Sequence, residues 1–291
     1  MAAFVTPLMK ARNNMKISVI VTTYNRPDAL AKVLAALYEQ TRPPDEILVA
    51  DDGSAEATHR CVEELKRRSS VPTIHVWQPD EGFRAAKIRN EALRVSTGDY
   101  VIFLDGDCIP DLHFVEDHDR LSGLGFFLQG KRILVDRAWS EAFTHRDIAG
   151  HRLKLFFSRH IGNRHHLPRL GWLPPLINTK LGGARSCNLA IFRSDLYAVN
   201  GFNEAFQGWG REDSEIVVRL YKYGLKRKEH PFAAICFHLW HPENDRTRLL
   251  VNDQLLAQAQ AADTYLCAHG LQRIDLPVTP RSGAADPLIS K

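Results

Sequence analysis

Two carboxylates one residue apart, Asp105 and Asp107, follow the apolar run YVIFL in YVIFLDGDCIP. Residues 100 to 104 have the character of a buried central strand, and open α/β sheets bind ligands at the carboxyl ends of their strands. Acids placed there, with a glycine between them that permits close approach, suit a divalent cation and the phosphates it would hold. An ordinary turn at the end of a strand is the plainer alternative. Two more acidic pairs stand out: Asp51 and Asp52 in EILVADDGS, and Glu212 and Asp213 after Trp209 in WGRED. Acids in the first turn of a helix face the positive end of its dipole, which keeps them ionised at neutral pH and able to accept a proton. Arg84 and Lys87 stand near the start of a helix, where cations are disfavoured, and a bound anion would account for them. His238 and His241 form an H-x-x-H, but no cysteine or acid lies at zinc-ligand spacing, and the D-x-D asks for a harder ion.

The elements that must position these groups alternate regularly at first. Residues 16–22 (KISVIVT) read as a buried strand, and Pro27 opens a helix whose Leu30, Val33, Leu34 and Leu37 fall on one face. A strand over 46–50 follows, then a helix that Ser54 or a neighbour would cap, with Val62 and Leu65 inward. A strand over 73–77 leads to a helix striped by Ala85, Ile88, Ala92 and Val95. The pattern predicts a mostly parallel sheet covered on both faces. Past residue 108 the alternation breaks down. A helix over 112–121, one or two strands within 125–135, a strand over 187–192 and another within 233–240 are expected. So are a helix carrying Ile216, Val217, Leu220 and Tyr221, and one over 246–266 making contact through Leu249, Leu250, Leu255 and Leu256. Residues 139–180, dense in His, Arg, Pro and aromatics, read as a long loop or lid. Residues 1–15 read as a loose leader, and the tail after Gly270 as extended or disordered.

With 291 residues, one elaborated α/β domain is the preferred reading. The five cysteines form no C-x-x-C pair, which argues against a disulfide framework and fits a reducing cytosol. A net charge of +4 is too small to require nucleic acid. Basic residues crowd between 146 and 185 and again between 219 and 228. No apolar run approaches the ~20 residues that span a bilayer, and no signal peptide is recognisable. A cytoplasmic protein is expected, with the basic stretch a candidate for peripheral contact with the inner membrane face.

ISVIVTTYNRPDALAKVLAAL, EILVADDGS, RAAKIRNEAL and GDYVIFLDGDCIP, in that order, resemble the family 2 glycosyltransferases of the GT-A fold. SCNLAIFRSDLYAVNGFNEAFQGWGREDSEIVVRLYKYG resembles the acceptor-side segment of bacterial chondroitin-polymerase-type and β-1,4-galactosyltransferase-like enzymes. The resemblance covers about residues 16 to 245. It implies a Rossmann-like GT-A domain over 16–245, with a nucleotide half (16–107) and an acceptor half (108–245), and a helical C-terminal extension over 246–291. It also implies inverting transfer of a sugar from a UDP-sugar to a hydroxyl of a glycan or lipid-linked saccharide, with Mn²⁺ or Mg²⁺ as cofactor. By resemblance Thr22, Tyr24, Arg26, Asp51, Arg84 and Lys87 would serve the nucleotide, and Asp107 would ligate the metal. Asp105 would contact the ribose, or the metal through water, and His238, with His241 second, would complete the metal site. Asp213 would be the base, Glu212 would hold the acceptor hydroxyl, and Trp209 would stack on the acceptor sugar.

Other classes fit less well. A nucleotidyltransferase on a similar fold usually carries a Gly-rich loop after the first strand, which TTYNRPDAL lacks, and the dinucleotide fingerprint is missing for the same reason. A non-catalytic carbohydrate-binding protein would not need both D-G-D and W-G-R-E-D.

Overall fold

The computed structural model describes residues 15–243 and 245–274. Nearly all of the expected leader and most of the tail beyond Gly270 lie outside them. Strands β1 (Ile17–Thr23), β2 (Glu46–Asp51), β3 (Thr73–Trp77) and β4 (Tyr100–Asp105) alternate with helices α1 (Pro27–Tyr38), α2 (Glu56–Lys66) and α3 (Ala85–Val95). All six residues of β2 and all of β1 except Thr22 are buried, as expected of apolar, β-branched strands covered on both faces. The four strands run parallel in the order β3-β2-β1-β4. Leu30, Val33, Leu34 and Leu37 of α1 are fully buried.

Two local expectations differ. No side chain caps α2: its N-cap residue is Ala55, the neighbour of Ser54, with no side-chain hydrogen bond to the helix. The Ser54 hydroxyl instead accepts the Asn25 N–H, and Asn25 Oδ1 accepts the Ala55 N–H, so the loops after β1 and β2 are stitched together. On α3 the end of the apolar stripe is exposed, Val95 by 48%, whereas Arg89 and Asn90 are buried. The buried face of this helix is partly polar because it meets the second half of the chain.

The second half extends the sheet and adds another. The next elements are β5 (Cys108–Pro110), α4 (Phe114–Leu121), β6 (Phe126–Gln129), β7 (Lys131–Val135), α5 (Arg137–Ser140), α6 (Arg152–Phe157), β8 (Ile161–Gly162) and β9 (Leu176–Asn178). They are followed by β10 (Asn188–Phe192), α7 (Arg193–Ala198), α8 (Glu212–Tyr223), β11 (Lys226–Glu229), β12 (Ile235–His238) and α9 (Leu249–Ala261). β10 lies antiparallel to β4 and β6, and the large sheet continues through β11 to β9. β5, β12, β7 and β8 form a separate four-stranded sheet. The region read as a long loop thus contains short helices and two short edge strands. The basic strand β11 (KRKE) carried no apolar signal in the sequence.

Two short turns carry the chain from one sheet to the other. Asp105 ends β4 in the large sheet and Cys108 opens β5 in the small one, so Asp107 sits at the crossing. Gly106 donates its N–H to the Thr22 carbonyl at 2.7 Å, and a Cβ there would lie 3.0 Å from that oxygen. At Gly130, between β6 and β7, a Cβ would lie 2.2 Å from the side chain of Asn188. Asn188 Nδ2 donates to the Lys131 and Ala234 carbonyls, and its Oδ1 pairs with His118, which rivets the two sheets together.

The loop before α8 is pinned from both sides. Asn90 of α3 exchanges hydrogen bonds with the backbone of Phe202. On the other side, fully buried Asn252 of α9 donates to the Gln207 and Gly210 carbonyls. Leu250, expected as a contact, is 78% exposed. α9 docks through this amide, because the groups it meets are backbone carbonyls that need donors.

Candidate active site

A cleft of about 700 Å³ opens where β1 and β4 end. Thr22, Tyr24, Arg26, Asp52 and Arg89 line it from the first half of the chain, and Arg132, Arg185, Trp209, Glu212, Asp213 and His241 from the second. The D-G-D turn lies between them.

The register of the small sheet builds the corner around Asp107. β12 runs antiparallel to β5 with His238 directly across from Cys108, and the Leu239 N–H donates to the Asp107 carbonyl. His238 Nε2 thereby comes within 3.8 Å of Asp107 Oδ1, and His241 Nε2 within 3.4 Å of Oδ2. Burial pushes His238 down to about 4, against the opposing pull of Asp107, so its imidazole is neutral with a lone pair to give, the form that binds metals. One carboxylate and two imidazoles on one spot are a donor set that fits a divalent cation. Arg26, expected at the nucleotide, reaches the same carboxylate, with Nη1 2.6 Å from Asp107 Oδ2. Arg26 and a cation would therefore compete for that oxygen.

Arg89, which the sequence reading did not single out, ties the two halves of the cleft together. Its side chain is 4% exposed. It donates to the Thr22 hydroxyl at 3.2 Å, to Asp105 at 3.4 Å and to Glu212 at 3.4 Å, and Asp213 Oδ1 lies 3.9 Å away. Three carboxylates around one guanidinium leave local negative charge. Burial, opposed by Arg89, raises Asp105 to about 6. Burial and the neighbouring Asp213 raise Glu212 to about 7. The helix N-terminus alone was expected to keep such an acid ionised, but for Glu212 desolvation is the larger effect. The signal for Arg89 lay within RAAKIRNEAL, four residues after Ala85 on the same helical face.

Asp213 occupies the first turn of α8, and its Oδ1 is buried without a hydrogen-bond partner among the described residues. Arg211, the N-cap residue of α8, adopts a left-handed conformation (φ 79°) and is held by Asp253 at 2.5 Å. Trp209 is 36% exposed at the mouth, with the Arg246 guanidinium 5.1 Å above its ring.

The remaining expected residues are more dispersed. Asp51 is fully buried: it accepts the Ser54 N–H and pairs with His75 at 2.9 Å. Its neighbour Asp52 lines the cleft instead. Arg84 turns to Glu81 and the Pro79 carbonyl, while its backbone N–H donates to Asp52. Neither Arg84 nor Lys87 is part of the cleft lining. Thr22 and Tyr24 are, and the Tyr24 hydroxyl donates to Asp80 at 2.8 Å.

Residues 18–119 match the family described as Glycosyl transferase family 2, and residues 176–242 match the N-terminal domain of galactosyltransferase. The chain is similar to the chondroitin synthase of Escherichia coli, with 29% identity over 267 residues, covering 83% of this chain and 38% of the synthase. It spans about half or less of the other curated relatives it matches at comparable identity. Among solved structures, the mannosyltransferase PcManGT from Pyrobaculum calidifontis, in complex with GDP-Man and Mn²⁺, superposes with a TM-score of 0.55 at 21% identity. That match covers 84% of this chain and 63% of the other. S. aureus TarS 1-349 in complex with UDP gives a TM-score of 0.57 at 19% identity, covering 84% and 65%. At these identities the structural likeness carries the fold. The chain belongs to the family 2 glycosyltransferases of the GT-A fold, with a galactosyltransferase-type segment in its second half.

Proposed function

We propose that this protein transfers a sugar from a UDP-sugar to a hydroxyl of a glycan or lipid-linked saccharide, with inversion, in a single displacement assisted by a divalent cation. The observation that carries this reading is convergence: Asp107, with His238 and His241 beside it, and Asp213, with an unsatisfied buried oxygen, meet at one cleft, where Arg89 joins Asp213 and Glu212 to Asp105 of the same acidic turn. A cation held by Asp107 and His238, with Asp105 and His241 beside them, would offset the charge of the departing diphosphate. Thr22, Tyr24 and Asp52 would border the nucleotide. Trp209 would seat the acceptor, and Glu212, which burial raises well above the usual carboxylate range, would share a hydrogen bond with its hydroxyl. Asp213 would take the proton from that hydroxyl as it attacks. On this reading residues 16–245 are the transferase domain, and the segment after 245 supports the acceptor loop through α9.

Asp107→Ala tests the metal side. It should abolish the thermal stabilisation that UDP and Mn²⁺ give together, and lower transfer by about 10²-fold or more. Metal-dependent stabilisation that survives the substitution would sink the assignment. Peripheral contact with an anionic membrane face is part of the same proposal. Leu153 and Phe157 are each 74% exposed on α6, beside Lys154, a combination that suits insertion into a charged interface. Absence of the protein from floated anionic vesicles would remove that element.

A further inference from the structure

Cys108 follows Asp107 directly and is fully buried. Its sequence neighbourhood offers no zinc-type spacing, but the fold supplies the missing partner from residue 238, directly across the β5–β12 pair. One ligand atom each from Asp107, Cys108 and His238 lies within 4.8 Å of the others. Tetrahedral bonds of about 2.0–2.3 Å place ligand atoms roughly 3.3–3.8 Å apart. Asp107 Oδ1 is 3.7 Å from the Cys108 sulfur and 3.8 Å from His238 Nε2. Strand pairing holds the backbones of Cys108 and His238 directly opposite each other, so the two side chains start from a fixed separation.

We propose that Cys108 is itself a ligand of the metal centre, making it a mixed carboxylate, thiolate and imidazole site that prefers a borderline or soft divalent cation such as Zn²⁺ over Mg²⁺. The proposal rests on the reading that Asp107 and His238 hold a cation. Thiolate favours softer ions and imidazole suits zinc, whereas magnesium takes oxygen ligands almost exclusively. On binding, the S–H bond breaks, the sulfur electron pair goes to the metal and the proton goes to solvent, so uptake releases one proton through Cys108. A Mg²⁺ ion at the same place would leave the thiol protonated and unbound.

Cobalt(II) is the probe, because thiolate ligation gives it an intense sulfur-to-metal charge-transfer absorption that oxygen and nitrogen ligands do not. The metal-stripped full chain titrated with Co²⁺ should show this near-ultraviolet band together with visible d–d bands. Cys108→Ser should lose the former and keep the latter, whereas Cys187→Ser and Cys236→Ser keep both. Zn²⁺ should bind the parent more tightly than Mg²⁺, and the serine variant, which keeps the imidazoles, should narrow that preference by ~10-fold or more without abolishing it. Cys108→Ala, compared at matched thermal stability, guards against a folding defect in the serine variant. Visible bands without charge transfer in the parent, or a charge-transfer band that follows Cys187 or Cys236, would overturn the role of Cys108. Absence of every cobalt band would overturn the metal reading itself.

Discussion

Replacing Asp213 with asparagine should lower the rate of transfer by about 10²–10⁴, the range a positioned general base supplies, with UDP and metal binding unchanged. The carboxylate lies in the first turn of α8, its Oδ1 has no hydrogen-bond partner among the described residues, and the nearest cation is Arg89 at 3.9 Å. An asparagine keeps the shape but cannot take a proton. Isothermal titration with UDP beside single-turnover kinetics separates the outcomes: lost UDP binding would place Asp213 on the donor side and end its assignment as base. Glu212→Gln is the informative companion, because glutamine imitates the protonated acid and should cost much less rate.

Glu212 also makes a statement about stability. Its folded-state value of about 7 exceeds the ordinary 4.5, so the folded protein holds this proton more tightly than the unfolded chain does. Its contribution is most favourable below pH 4.5, declines as pH rises toward 7 and is flat above. Thermal scans should therefore show Glu212→Gln gaining on the parent across that window. A difference that does not change with pH would contradict the burial argument.

Arg89→Met should be the most damaging substitution for the fold of the site. Removing one partner of a buried ion pair costs about 3–5 kcal/mol, because the remaining charge stays buried, and here three carboxylates lose their shared cation. A fall in thermal midpoint of roughly 10 °C follows for a domain of this size. The deficit should shrink at acid pH, where Asp105 and Glu212 take up protons and no longer need the guanidinium. Arg89→Lys should recover part of the loss, since one ammonium restores charge but cannot reach Thr22, Asp105 and Glu212 together. A midpoint for Arg89→Met equal to that of the parent would show that the carboxylates are held by other means.

The first half of the chain was legible because its signals are local. The run ISVIVTT and the leucine face of α1 state strand and helix within a few residues, and each burial expectation on α1 is met. Asp105, Asp107, Glu212 and Asp213 were visible as acids at the ends of elements. β11 was not, since KRKE pairs with its neighbours through backbone groups while its side chains remain polar. Arg89 was hidden for a related reason. A buried arginine interrupts an apolar stripe, and only the carboxylates brought to it from residues 105, 212 and 213 explain why it can be buried.

The sequence by itself thus determined the parallel βαβ core, the place of the acidic turn at the end of β4, and the start of α8 at the second acidic pair, because periodicity and helix-end chemistry act over a few residues. Only the tertiary structure decided which of these groups meet. The crossing at Gly106 from one sheet to the other and the β5–β12 register bring Asp107, Cys108 and His238 together across 130 residues of chain. Arg89 draws Asp105 from one half of the chain and Glu212 and Asp213 from the other onto one guanidinium, an electrostatic arrangement that exists only once water has been excluded from between the two halves.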